Sequence, residues 1–199
     1  MSRPGGSPGA ADEATATATR LTVGGLDTNC YVLRDTGCRQ ASCLALIDPG
    51  GDAPGILRLI DRAGLPLGLI LLTHGHSDHI RALPEILRRW PDAPVAVSPA
   101  DEAMLADPTL NLSVFVGAAV APRPRQLRLL RDGDRVKVDG LAIEVLATPG
   151  HTPGGLCFHL EQADRHLLFS GDTLFAGSVG RTDLPGGSWP ELMGSLRRL

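Results

Sequence analysis

The stretch Thr73-His74-Gly75-His76-Ser77-Asp78-His79 places three histidines and one aspartate within six residues, in a chain that has six histidines in total. Imidazole and carboxylate groups suit zinc, and also iron or manganese. If the segment is extended, His74, His76 and Asp78 lie on a common side, whereas His79 begins a helix and points elsewhere. We therefore predict metal binding here, with a solvated histidine-rich loop as the alternative.

The elements around this stretch predict its place in the fold. Apolar residues at Ile56, Ile60 and neighbouring helical positions predict a helix that ends at Gly64. The apolar run from Leu67 to Leu72 then predicts a buried strand, and Ile80 to Trp90 predicts another helix. The histidines accordingly lie in the loop at the carboxyl end of a strand, where α/β folds usually carry functional residues.

A second motif centres on His151, which stands between Pro149-Gly150 and Pro153-Gly154. The strand predicted at Leu141 to Ala147 ends just before it. Proline fixes φ, and glycine permits tight turns and close backbone approach, so this frame holds the imidazole in a defined position. The pattern favours a metal ligand over a histidine in an ordinary turn.

A third motif is the carboxylate of Asp172, which follows the apolar run from Leu167 to Phe169. A charge at the end of a buried strand is costly unless it is paired or bound to a metal. A carboxylate can also bridge two cations. We predict that Asp172 is a metal ligand, with an ordinary turn cap as the alternative.

The composition of the whole chain limits the kind of protein. Of the 199 residues, 43% are hydrophobic and 21% are charged, which is typical of a globular domain. A net charge of -3 provides no basic surface for nucleic acid or an anionic membrane, so we expect neither partner. No apolar run is long enough to span a membrane, and Met1 to Arg20 lacks the apolar core of a signal peptide. We expect a cytoplasmic location and a small-molecule substrate, and the sequence does not predict the oligomeric state.

The chain divides into a tail and one domain. Residues 1–18 are rich in Ala, Thr, Gly and Pro without hydrophobic periodicity, which predicts a disordered tail. Residues 19–199 are predicted to form a single catalytic domain. A short helix at Asp101 to Ala106 and a loop at Asp107 to Pro124 separate two groups of short strands. The strands are predicted at Leu21–Val23, Cys30–Leu33, Leu44–Ile47, Val95–Val97, Arg135–Val138, Leu141–Ala147, Leu156–Leu160 and His166–Ser170.

The three motifs together resemble the metallo-β-lactamase superfamily, whose signature T-H-x-H-x-D-H is matched at Thr73 to His79 and is followed by His151 and Asp172. The likeness spans roughly residues 20–199. The resemblance implies an α+β fold: an αββα sandwich of two mixed β-sheets with flanking helices and a two-metal site at one edge. The two β-rich halves of the sequence, each with helices, predict the same four layers.

Three further blocks resemble the glyoxalase II-like branch of this superfamily, near hydroxyacylglutathione hydrolase. They are Asn29-Cys30-Tyr31, Ile47-Asp48-Pro49-Gly50 and the segment from Gly177 to Gly187. The branch resemblance implies a hydrolase that acts on a thioester such as an acyl-glutathione.

The superfamily resemblance also implies ligands for each metal ion. His74, His76 and His151 would bind the first ion. Asp78 and His79 would bind the second ion, and the carboxylate of Asp172 would bridge the two ions. The cofactor would be zinc, as one or two ions, with iron or manganese as alternatives. A metal-bound hydroxide would attack the acyl carbonyl, and Asp78 would also act in catalysis by orienting the attacking water.

Several residues outside the motifs have two interpretations. Asp48 either supports a ligand imidazole through a hydrogen bond or is a simple turn residue. Arg181 and Asp183 are predicted to form a local ion pair with a structural rather than a catalytic role. His159 and His166 lack flanking motif residues and are predicted to be surface or packing histidines. The four cysteines have no C-x-x-C spacing, which favours buried or incidental thiols.

The family pattern continues past the length of this chain, to another strand and a final histidine of the second metal site. Here the sequence stops at Leu199, inside a helical pattern that includes Leu192. We therefore expect a C-terminally incomplete domain that lacks the last strand and helix. The second ion would then be held loosely by Asp78, His79 and Asp172.

Two other functions fit the same residues. One is a mononuclear iron enzyme that resembles persulfide dioxygenases, in which His74, His151 and Asp172 form a two-histidine, one-carboxylate triad. The other is an inactive fragment that keeps the scaffold and a metal site. Hydrolysis of β-lactams is not expected, because no secretion signal is found and the branch-specific blocks point to intracellular thioesters.

Overall fold

The first strand begins inside the segment that was predicted as a tail. The computed structural model describes residues 16–38, 40–162 and 165–199, so residues 1–15 of the predicted tail lie outside the described part. Strand β1 (Ala16–Val23) pairs along its whole length with β2 (Thr28–Asp35), starting with Ala16 opposite Asp35. The predicted boundary after residue 18 is therefore wrong, because Ala16 is 1% exposed and packs in the core.

Six strands form a mixed sheet in the order β1-β2-β3-β4-β5-β6. Strand β3 (Leu44–Ile47) is antiparallel to β2, whereas β4 (Leu67–Leu71), β5 (Val95–Val97) and β6 (Leu127–Leu129) run parallel to β3. Strands β3 and β5 are buried at every position, as expected for parallel strands that are covered on both faces. The carboxyl ends of β3, β4 and β5 therefore meet at one edge of the sheet.

Four strands form a second, antiparallel sheet in the order β10-β9-β8-β7. Strands β7 (Arg135–Val138) and β8 (Leu141–Ala147) are joined by a tight turn, and β9 (Leu156–Gln162) and β10 (Arg165–Phe169) follow. Exposed and buried residues alternate along β7, as in a sheet with one buried face. A short hairpin of β11 (Leu174–Phe175) and β12 (Ser178–Val179) comes next, so Asp172 lies between this hairpin and β10.

The helices lie between and beside the strands. They are α1 (Ala53–Ala63), α2 (Ser77–Ile80), α3 (Leu83–Arg89) and α4 (Trp189–Arg198), with 3-10 helices at Glu102–Leu105 and Ser113–Val116. As predicted, α1 ends at Gly64, whose φ of 69° is left-handed. No helix in the described part of the chain is long and apolar enough to span a bilayer.

The helix predicted from Ile80 to Trp90 is divided into two. Helix α2 ends at Ile80 and α3 begins at Leu83. Pro84 lies in the first turn of α3, where its missing N–H is tolerated, but the same residue cannot continue a helix that started earlier. The helix prediction is therefore confirmed over Leu83–Arg89, and it is wrong in joining Ile80 to that helix.

The main core lies between the two sheets. Residues of the first sheet that are fully buried there meet those of the second: Leu33, Ala45, Ile47 and Leu71 on one side, and Val136, Ile143, Val145 and Phe158 on the other. The opposite face of the first sheet packs against α1 and α3 through a second cluster that includes Leu46, Ile56, Ile70 and Ile86. Helix α4 lies at the end of the second sheet. The sandwich predicted from the sequence is thereby confirmed.

The core between the sheets predicts a large effect for loss of one side chain. Phe158 is 0% exposed, so Phe158→Ala is expected to lower the free energy of unfolding by about 3–5 kcal/mol. Leu168→Ala, on the neighbouring strand with its side chain 39% exposed, is expected to change it by about 0.5 kcal/mol or less. Urea unfolding of the two variants checks this, and equal effects would contradict the assignment of the core.

Candidate metal centre

The histidine-rich stretch is partly extended and partly helical. The backbone after β4 stays extended up to His76 (φ -66°, ψ 151°), and α2 begins at the next residue. Asp78 and His79 therefore both lie in α2. The expectation that strand alternation places Asp78 beside His74 and His76 is wrong, because the extended conformation ends two residues before Asp78.

Three buried imidazoles converge at the end of β4. The rings of His74, His76 and His151 form a triangle with every pair of centroids 4.8 Å apart and with interplanar angles of 84° to 89°. His76 Nδ1 and His151 Nε2 are 3.0 Å apart. Each of the three residues is at most 4% exposed. Three protein ligands around one point, with a further position left open, is the arrangement of a catalytic zinc site.

A carboxylate connects this triangle to a second group of donors. Ligand atoms of His74, His79 and Asp172 all lie within 4.8 Å of one another. Asp172 Oδ1 is 3.2 Å from His79 Nε2, and its Oδ2 is 3.4 Å from His151 Nε2. The two oxygens of Asp172 thus face the two groups of imidazoles, which is the position that a bridging ligand needs.

Asp78 lies at the outer side of the second group. Its Oδ2 is 3.4 Å from His79 Nε2 and accepts a hydrogen bond from Thr28 Oγ1 at 3.1 Å. Thr28 was not identified from the sequence, and its place directly before Asn29-Cys30-Tyr31 was the one available signal. The side chains of Asp78 and Asp172 are 27% and 25% exposed, so solvent and substrate can reach this side of the centre.

Two ring nitrogens indicate that the donor set fits a metal ion. Among the described residues, His74 Nε2 and His79 Nε2 are buried and have no hydrogen-bond partner. Buried polar atoms in native proteins are nearly always satisfied, and an unsatisfied one calls for an explanation such as a bound ion. Neutral imidazole nitrogens and carboxylate oxygens are ligands for zinc, iron and manganese.

The protonation states also favour a cation. Burial, and then the proximity of His79, His76 and His151, holds the pKa of His74 well below its usual range. Burial, with His151 adding to it, lowers the pKa of His76 to about 4. Both rings are therefore neutral at pH 7, which is the form that binds metal.

Negative charge is concentrated around His79. Burial alone would lower the pKa of His79, but Asp48, Asp172 and Asp78 outweigh it and hold the pKa well above its usual range. Conversely, burial alone would raise the pKa of Asp78, but the contact with the positively charged His79 lowers it, so Asp78 is ionised at neutral pH. A cation among these three carboxylates would replace the proton that His79 otherwise holds.

Asp48 supports His79 from behind. Its side chain accepts hydrogen bonds from Thr73 N at 2.8 Å and Thr73 Oγ1 at 2.7 Å, and Oδ2 is 3.0 Å from His79 Nδ1. A histidine that donates its Nδ1 proton to a carboxylate directs Nε2 towards the metal position. Of the two interpretations of Asp48, the contacts favour support of a ligand imidazole.

His151 is held by backbone contacts on two sides. Its Nδ1 is 2.7 Å from the carbonyl oxygen of Arg181, which leaves Nε2 directed at the triangle. Helix α4 supports the preceding turn, because Ser188 N donates to Gly150 O at 2.7 Å and Ser195 Oγ donates to Pro149 O at 2.7 Å. The predicted ion pair of Arg181 with Asp183 is confirmed, with both N···O distances 2.7 Å.

The remaining histidines and the cysteines lie outside the ligand groups. His159 Nε2 is 3.0 Å from His166 Nδ1, and His159 Nδ1 is 3.5 Å from Glu144 Oε2 on the neighbouring strand. His166 is exposed and His159 is partly buried, in agreement with the prediction. All four cysteines are free thiols, and Cys30 and Cys157 are buried.

The fold and this geometry agree with a family model. The model of the Metallo-beta-lactamase superfamily matches residues 23–199. The chain belongs to this superfamily. Among solved structures, it is similar to BLEG-1, a B3 metallo-beta-lactamase, with 32% identity, a TM-score of 0.81 and coverage of 91% of this chain and 84% of that one. It is also similar to TTHA1623 in a di-iron-bound form, with 35% identity, a TM-score of 0.76 and coverage of 90% and 84%.

A further structure and several curated relatives extend the comparison. ETHE1 from Myxococcus xanthus is 30% identical, with a TM-score of 0.68 and coverage of 92% of this chain and 69% of that one. The probable metallo-hydrolase YqgX of Bacillus subtilis is 41% identical over 134 residues, which are 67% of this chain and 62% of that protein. A hydroxyacylglutathione hydrolase of Parasynechococcus marenigrum is 37% identical over 139 residues, 68% of this chain and 48% of that protein.

The matched region is only part of these proteins. An uncharacterized protein of Mycobacterium tuberculosis is 41% identical over 135 residues, 64% of this chain and 60% of that protein. The chain therefore spans about three fifths of the length of the curated relatives that it matches first.

The contacts of Asp48 predict an effect on metal affinity. In Asp48→Asn the amide cannot accept all the hydrogen bonds that orient His79 and Thr73. The affinity for zinc of the ligand group that contains His79 is therefore expected to fall by about 10–100-fold. Competition with a chromophoric chelator measures this. Asp61→Asn, which removes an exposed partner of Arg89, is the control and should leave the affinity unchanged. Equal affinities of the two variants would contradict the role of Asp48.

Proposed function

We propose that the protein is a metal-dependent hydrolase that acts on a small-molecule thioester, of the acyl-glutathione type. The observation that supports this most directly is the convergence of His74, His76 and His151 with the carboxylate of Asp172 beside them. Membership of the superfamily and the similarity to the probable metallo-hydrolase YqgX agree with hydrolysis as the reaction.

In this proposal each ligand group receives one ion. His74, His76 and His151 would bind the first ion. Asp78 and His79 would bind the second ion, and Asp172 would lie between the two. When bound, zinc polarises an acyl oxygen and lowers the pKa of a coordinated water to about 7. Iron or manganese suits the same donors.

The side chains around the centre have distinct tasks in hydrolysis. The ionised carboxylate of Asp78 accepts a hydrogen bond from Thr28 and has further acceptor capacity for a water molecule. Asp78 therefore orients the water that attacks the acyl carbon. Asp48 holds the imidazole of His79 in place during the reaction, and the carbonyl oxygen of Arg181 holds that of His151. Because water is the nucleophile, the site needs no nucleophilic serine or cysteine: the water oxygen bonds to the acyl carbon, the C–S bond breaks, and the products are a carboxylate and a thiol.

A cavity beside the centre provides room for the acyl group. Asp78, His79 and Asp172 line it together with further polar residues such as Thr28 and Asn29. Apolar and aromatic side chains complete the lining: Leu26, Tyr31, Phe169, Leu174 and Phe175. A cleft that combines apolar surface with polar groups is typical of small-molecule sites. The similarity to hydroxyacylglutathione hydrolase supports a thioester as the substrate class.

Iron-dependent oxidation of a persulfide is the second candidate. The similarity to TTHA1623 in a di-iron-bound form supports iron as a metal for this site. His74, His151 and Asp172 would then provide a two-histidine, one-carboxylate triad. The hydrolase remains the stronger proposal, because His76 and His79 add two buried imidazoles that this triad leaves unused.

A substrate panel separates the two candidates. The zinc-loaded protein is expected to release thiol from an acyl-glutathione thioester, whereas the iron-loaded protein should not consume oxygen with a glutathione persulfide. His151→Ala is expected to lower thioester hydrolysis by roughly 100-fold or more, since one of three ligands is lost. His159→Ala removes a histidine outside the centre and is the matched control. Oxygen consumption without thiol release would reverse the ranking, and the absence of both would favour an inactive metal-binding protein.

The two ligand groups predict unequal affinities. The first consists of three imidazoles that are at most 4% exposed, whereas the second relies on two partly exposed carboxylates and His79. Zinc titration is therefore expected to show one tight equivalent and one weaker equivalent. His79→Ala should remove the weaker equivalent and retain the tight one. Two equally tight equivalents in the unmodified chain would contradict this assignment.

A further inference from the structure

A buried carboxylate joins the two loops that carry the converging imidazoles. Asp101 follows β5, and it is 0% exposed. Its Oδ2 accepts hydrogen bonds from Gly75 N at 3.1 Å and from Thr152 Oγ1 at 2.8 Å, and its Oδ1 accepts one from Gly154 N at 2.8 Å. Gly75 separates the first two histidines of the triangle, and Thr152 directly follows the third.

Both loops are fitted closely to the turn that contains Asp101. A Cβ at Gly154 would collide with Asp101 Oδ1, and a Cβ at Gly75 would lie 2.5 Å from Met104 Cβ. Met104 belongs to the 3-10 helix that follows Asp101. The glycines in the two motifs therefore permit both backbones to approach the same carboxylate and the same turn.

The two loops leave different sheets. The loop with Gly75 follows β4 of the first sheet, and the loop with Thr152 follows β8 of the second. Leu156 N donates to Thr73 O at 2.8 Å, which joins the loops at their bases. Asp101 joins them beside the ligands themselves, through contacts that span 26, 51 and 53 residues of sequence.

We propose that Asp101 is a positioning residue that fixes the separation of His76 and His151 and thereby the affinity of the first metal site. The proposal rests on metal binding by the three imidazoles, which is part of the proposed function. Asp101 touches none of the ligand nitrogens in the contacts described above. It acts through the backbone N–H of Gly75 and through Thr152.

The chemistry of the group explains why a carboxylate is required. All three partners of Asp101 donate, and a carboxylate is an acceptor on both of its oxygens. In Asp101→Asn, the amide nitrogen must face either Gly154 N or the pair of donors at Gly75 and Thr152. One side of the junction therefore loses its hydrogen bonds, and the loop on that side is released.

The test compares Asp101→Asn with a matched buried carboxylate. Asp35 is 2% exposed and accepts hydrogen bonds from the backbone N–H groups of Gly37, Cys38 and Gly140. Asp35 is the last residue of β2 and Thr28, which contacts Asp78, is the first, so the two residues are about 23 Å apart along the strand. Asp35→Asn therefore controls for the general effect of neutralising a buried, hydrogen-bonded aspartate.

The readouts are zinc affinity from chelator competition and the visible absorption spectrum of the cobalt-substituted protein. Asp101→Asn is expected to weaken binding of the tight equivalent by about 10–100-fold and to change the cobalt spectrum. Asp35→Asn should leave the zinc affinity within twofold of that of the unmodified chain and the cobalt spectrum unchanged. Affinity within twofold of the unmodified chain in Asp101→Asn, or an equal loss in Asp35→Asn, would overturn the proposal.

A second variant covers the case in which Asp101→Asn fails to fold, which thermal unfolding of the metal-free protein detects. Thr152→Val removes one hydrogen bond and keeps the carboxylate, so roughly a threefold to tenfold loss of zinc affinity is expected. No loss in this variant would overturn the proposal.

If the unmodified chain binds zinc without hydrolysing thioesters, only the proposed function fails. If it binds no zinc, both fail.

Discussion

The structure depends on the burial of imidazole rings that have unsatisfied nitrogens at the junction of two sheets. Four histidines that are at most 4% exposed meet three carboxylates there, and His74 Nε2 and His79 Nε2 have no hydrogen-bond partner among the described residues. Such a cluster is unfavourable by itself, because the buried rings lose their hydrogen bonds to water and the neighbouring carboxylates repel one another. A cation at the centre of the cluster resolves both costs.

The sandwich provides the geometry for this cluster. Parallel strands of the first sheet end at one edge and deliver Asp48, His74 and Asp101, while the second sheet delivers His151 after β8 and Asp172 after β10. The strands are rigid because their apolar side chains fill the space between the sheets, and the ligands themselves lie in short turns just beyond the strand ends. A metal ion held by these residues would connect both sheets.

The sequence predicted the ligands better than the contacts that hold them. Histidine density in Thr73–His79 and the proline–glycine frame of His151 predicted candidate donors, and the structure brings ligand atoms of His74, His76 and His151 within 4.8 Å of one another. The conformation of Asp78 was mispredicted because α2 begins earlier than the strand pattern indicates. Asp101 looked like the start of a short helix, since its partners lie 26 to 53 residues away and leave no local pattern. Long-range hydrogen bonds of this kind can be identified only once the three-dimensional structure is known.

The central claim is that His74, His76 and His151 bind one cation together. Zinc-edge X-ray absorption of the protein loaded with one equivalent tests it most directly. The account predicts three imidazole nitrogens at about 2.0–2.1 Å from the ion, and two after His76→Ala. A zinc environment without imidazole, or one that is unchanged in His76→Ala, would contradict it.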